Sequence, residues 1–203
     1  HAGDPLTHSF PPFLASLVVT ETPALFKEED GATAFQHVFH ALRPYGGTAC
    51  LPVPEAARSA WKKSGVGSQS AQIREEGEWL LLSRVGPLPT SADWSHVGGN
   101  AGNTGSSNDR YLRGPLGLLW YDGSIRWNRQ PGKTEVRVAG GRIFVRADRM
   151  LAIDVFTGRR LWDRPLPQAA GSDAVGEFVA LADAVYVAAG RSCLALDAAT
   201  GEQ

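Results

Sequence analysis

"MLAIDVFTGRRLWD", residues 150–163, combines a short apolar run, a turn and a tryptophan, and "CLALDAATGEQ", residues 193–203, repeats the first two of these parts. Aligning "GRIFVRADRMLAIDVFTG" (141–158) with "DAVYVAAGRSCLALDAATG" (183–201) sets Ile143, Phe144 and Val145 on Val185, Tyr186 and Val187, an offset of 42. Leu151, Ala152, Ile153, Asp154, Thr157 and Gly158 fall on Leu194, Ala195, Leu196, Asp197, Thr200 and Gly201, an offset of 43. One residue inserted in the intervening turn accounts for the slip. A period in the low forties is the length of a four-stranded propeller blade.

The residues suit such a blade. "EVRV" (135–138), "RIFVRA" (142–147), "MLAIDV" (150–155) and "RLWDRP" (160–165) are short β-prone runs, separated by "AGG", "DR" and "FTG". In the last turn Asp154 is placed to accept backbone N–H bonds, and Gly158 takes a positive φ without steric cost. Trp162 presents more flat apolar surface than one thin sheet buries, so it is expected to wedge against a neighbouring blade.

"AIDVFTGRRLW" (152–162) resembles the tryptophan-docking repeat of quinoprotein-like (PQQ-repeat) β-propellers, Ala-x-Asp-x-x-Thr-Gly-x-x-x-Trp, at Ala152, Asp154, Thr157, Gly158 and Trp162. "ALDAATGEQ" matches at Ala195, Asp197, Thr200 and Gly201 and stops two residues before the tryptophan position. The sequence therefore reads as a fragment cut within a blade, holding about two blades. "ADWSHVGGNAGNTGSSN" (92–108) resembles the opening of a first blade, and "PLGLLWYDG" (115–123) the strand that follows it. The resemblance implies a binding or scaffold module, with recognition carried by rim loops and a cell-envelope or periplasmic location. The alternative it carries is part of a PQQ-dependent oxidoreductase. That class also needs a stacking Trp, calcium-binding carboxylates and often adjacent cysteines, and no Cys-Cys pair occurs here.

Residues 1–86 have a different pattern. "ASLVVTE" (15–21) and "TACLPV" (48–53) read as strands buried on both faces of a parallel sheet. Between them, "ATAFQHVFHALR" (32–43) sets Phe35, Val38, Phe39 and Leu42 on one helical stripe that Pro44, Gly46 and Gly47 end. "AQIREEGEWLLLSRVG" (71–86) reads as strand, glycine turn, strand. "GDPLTHSFPPFLASLVVTE" (3–21), "ALRPYGGTACL" (41–51) and the closing hairpin around Trp79 resemble the C-terminal part of a Rossmann-like, S-adenosylmethionine-dependent methyltransferase. By that resemblance Asp4 sits where the family meets the adenine amino group, and Thr20 and Glu21 lie at a strand end that faces the cofactor. The opposing reading is a turn cap for Asp4 and a solvated Glu21. The family's glycine-rich cofactor loop would lie upstream of His1, so this stretch alone is not expected to bind S-adenosylmethionine well. A methyltransferase works where its cofactor is made, which pulls against an exported propeller.

The expected fold is thus a partial α/β Rossmann-like domain (1–86), a linker (87–91) within "GPLPTSAD", and the start of an all-β propeller (92–203). The 203 residues carry a formal net charge of −1, 23 glycines and 13 prolines, which suits turn-rich structure and gives no global reason for nucleic-acid or membrane binding. No run approaches a membrane span. Cys50 and Cys193 are the two cysteines, and each lies in an apolar run, so both are expected to be buried thiols.

Other constellations read as ordinary structure. His37 and His40, three apart on a helix, lack a third metal ligand nearby. Asp93, Ser95 and His96 have the residue types of a nucleophilic triad but sit in one short loop. "GGNAGNTG" (98–105) has no Lys-Ser/Thr after it and reads as a loop and not a phosphate cradle. Residues 110–164 hold twelve Arg or Lys against five Asp or Glu, which suggests a basic blade face for an acidic partner or anionic polymer. Trp120, Tyr121 and Trp127 interleave with that charge as nucleic-acid stacking platforms do.

Overall fold

The computed structural model describes residues 10–22, 31–66, 70–121, 134–147, 149–166, 178–189 and 191–203. They fall into two compact units, His1–Leu88 and Pro89–Gln203. The first is mixed α/β and the second is built of antiparallel sheets, in the order the sequence predicts.

The first unit runs β1 (Leu17–Val19), α1 (Gly31–Ala41), β2 (Gly47–Leu51), α2 (Glu55–Val66), β3 (Ala71–Glu76) and β4 (Trp79–Arg84). The sheet order is β1-β2-β4-β3. β1 and β2 are parallel, with Leu17 opposite Thr48 and Val19 opposite Cys50. α1 supplies the crossover that a parallel pair requires. β4 runs antiparallel to both neighbours, and Gly77, at φ +61°, makes the tight turn between β3 and β4.

Phe35, Phe39 and Leu42 of the α1 stripe pack with Ala57 and Trp61 of α2 onto Ala49, Leu51, Leu80 and Leu82. Phe35 and Trp61 meet edge to face with centroids 5.9 Å apart. Both helices therefore pack against the same side chains of β2 and β4. This corrects the expectation of strands buried on both faces. Leu17 and Val19 are 62% and 55% exposed, while Val18 between them packs on the core. With one face covered, side chains of period two must alternate between core and surface. β2 alternates in the same way, burying Ala49 and Leu51 and leaving Thr48 and Cys50 partly exposed. The sequence reading also passed over α2, whose signal is Glu55 in its first turn and a spacing of four between Ala57 and Trp61.

In the second unit β5 (Glu135–Ala139), β6 (Arg142–Arg146), β7 (Arg149–Asp154) and β8 (Arg160–Pro165) form a four-stranded meander in chain order. β9 (Phe178–Ala180), β10 (Ala184–Ala189) and β11 (Ser192–Asp197) form a three-stranded sheet. The registers put Arg137, Phe144, Ala152 and Trp162 in one cross-strand row. Phe144, Ala152 and Trp162 of that row pack, with Met150, against Phe178, Val185, Val187 and Leu196 of the second sheet. Trp162 is 8% exposed, and its ring centroid lies 6.0 Å from that of Phe144. Arg137 is buried too, held by Glu135 at 3.0 Å, with its guanidinium 4.8 Å from the Phe178 ring centroid.

The segment before β5 ties the two sheets at their first strands. Trp94 exchanges backbone hydrogen bonds with Val138 at 2.8 and 2.9 Å, and the Ser95 carbonyl accepts from the Ala180 N–H at 3.1 Å.

Candidate functional site

The turn closing each sheet's third strand is built the same way twice. Asp154 Oδ1 accepts from the N–H groups of Phe156 and Thr157, both at 3.0 Å. Asp197 Oδ1 accepts from Ala199 at 2.9 Å, Thr200 at 2.8 Å and the Thr200 hydroxyl at 3.0 Å. A carboxylate that receives donors in this way favours its ionised form. The Thr200 N–H first, then its hydroxyl, hold the Asp197 carboxyl below its ordinary value. Gly158 and Gly201 end the two turns at φ +70° and +71°, where L side chains are strained. Ala152 lies opposite Trp162 in the first sheet, and Ala195 opposite Tyr186 in the second.

These turns receive tryptophans. Trp162 donates from Nε1 to the Ala198 carbonyl at 3.1 Å and lies flush against Gly201. Trp120 does the same one period earlier, donating to the Val155 carbonyl at 2.8 Å beside Gly158. The sequence reading had assigned Trp120 to a strand of 115–123. Residues 116–121 instead form no strand ladder, because among the described residues no neighbouring edge pairs with them. The signal for a third docking tryptophan was present, since Trp120 precedes Trp162 by 42 residues, the period itself.

The outer face of the second sheet carries a cleft. Val179, Tyr186, Ala188 and Cys193 form its floor, and His96, Asn100 and Asn103 of the preceding loop form its rim, enclosing about 470 Å³. The loop is rigidly made. Asn100 donates to Thr104 Oγ1 at 2.7 Å and the Ser106 carbonyl at 3.0 Å, and accepts from the Gly102 N–H at 2.9 Å. "GGNAGNTG" therefore spends its polar groups on itself. Ser95 Oγ and His96 Nδ1 lie 2.8 Å apart, while Asp93 turns to the Gly140 N–H at 3.4 Å. The three residue types of a triad are thus not joined in series. Tyr186 is 42% exposed and Cys193 is exposed, which corrects the expectation of a buried thiol there. The cause is strand parity: Cys193 sits opposite Ala188, on the face away from Val185 and Val187.

Of the residues behind the expected basic face, two are buried and four make local polar contacts. Arg137 and Arg146 are buried, and burial lowers the Arg146 pKa against the opposing pull of Glu135. Arg149 and Arg160 pair with Asp163, Arg142 donates to the Ala182 carbonyl, and Arg164 to that of Thr200. Tyr121 is exposed, Trp120 is docked, and Trp127 lies outside the described residues.

In the α/β unit, Thr20 and Glu21 follow β1, and Thr20 Oγ1 accepts from the Thr22 N–H at 3.2 Å. Asp4 lies outside the described residues. His37 and His40 lie on α1, and the His40 ring packs beside Phe13 at a centroid distance of 6.4 Å. Among the described residues no three His, Cys, Asp or Glu side chains converge as metal ligands. Trp120 and Trp162 are engaged in docking.

The family described as outer membrane protein assembly factor BamB matches residues 113–203. That stretch carries a PQQ-like propeller repeat, and the α/β unit has no family assignment. No curated protein and no solved structure matches the chain. No helix among the described residues is long and apolar enough to cross a membrane.

Proposed function

We propose that Pro89–Gln203 is a protein-binding propeller module joined to a methyltransferase-like α/β unit. The observation that carries the binding reading is the outer face of the second sheet. It is concave, largely apolar, rimmed by a few fixed polar groups and centred on a half-exposed tyrosine, the residue type that anchors protein contacts. The description of the matched family as an assembly factor supports the same role. A display selection of peptides on the immobilised chain tests it. Binders should enrich and should lose capture on a Tyr186→Arg chain; failure to enrich, or capture indifferent to that change, refutes the reading.

A second reading concerns the α/β unit, where Asp4, Thr20 and Glu21 are the proposed cofactor contacts. The order β1-β2-β4-β3, a parallel pair closed by a reversed hairpin, supports the methyltransferase resemblance. A protein that binds S-adenosylmethionine is stabilised by it, so titration should raise the melting temperature. No shift and no heat of binding remove the cofactor reading.

A further inference from the structure

We draw no further inference here: the strongest candidate, the exposed apolar face of the first unit's sheet around Leu17, Val19 and Trp79, is a surface for which nothing in the structure shows what covers it.

Discussion

Gly201 lies so close to Trp162 that a Cβ added to it would stand 2.7 Å from two indole carbons, and Gly158 meets Trp120 at 2.5 Å in the same way. Gly77 has a similar φ of +61° with open space around it. The three glycines therefore separate backbone strain from steric exclusion. Gly77→Ala should cost about 1 kcal/mol from the left-handed conformation alone, and Gly201→Ala about 2–4 kcal/mol as overpacking adds to it. Urea unfolding midpoints at unchanged slope read the difference; equal costs would show that the indole yields freely.

Trp162→Phe keeps most of the apolar contact and deletes the donor to Ala198. The carbonyl it leaves is buried with its residue, so the loss should be about 1–3 kcal/mol. Trp120→Phe acts on the half-buried Val155 turn and should cost about 1 kcal/mol or less. Denaturant titration of both variants checks the order, and a larger cost at position 120 would contradict it.

Acid should weaken the second turn. The folded pKa of Asp197 is depressed below the ordinary 3.8, so the unfolded chain takes up its proton first as pH falls. The stability involved is fully present above the unfolded pKa and is lost as pH falls through the folded one. Asp197→Asn keeps the Oδ1 acceptor and removes the titration. Its melting temperature should follow that of the wild type less steeply below about pH 4. Parallel acid limbs in the two proteins would mean that Asp197 contributes nothing there.

Thiol labelling distinguishes the two cysteines. Cys193 is exposed on β11 and Cys50 is part-buried on β2. A maleimide on the native chain should modify Cys193 about tenfold or more faster than Cys50, since access limits the rate at a covered thiol. Reversed rates would place the outer face of the second sheet under cover.

How much of this was legible in the sequence follows from which signals are local. The strands from 135 to 165 were readable because apolar runs, a glycine turn and a tryptophan recur together at one period, and each has its own mechanical reason. Trp120 obeyed the same period but was passed over. Its turn partner lies 35 residues downstream, and among the described residues the segment around it has no neighbour to give it a β pattern. α2 was missed because its buried face is narrow: Ala57 and Trp61 carry it among charged and small residues. Leu17 and Val19 misled because a run of valine and leucine looks alike whether one face or both are covered; only the placement of α1 and α2 decides that. The burial of Arg137 and Arg146 was likewise unreadable, since charge counts do not show which guanidiniums are covered.

Trp94 and Ser95 are consecutive, yet one bonds the first sheet through Val138 and the other the second through Ala180. A single peptide linkage thus acts as a staple across the seam at β5 and β9, while Trp162 fastens it from β8. Neither sheet can peel away while both fasteners hold, so the two sheets should unfold together.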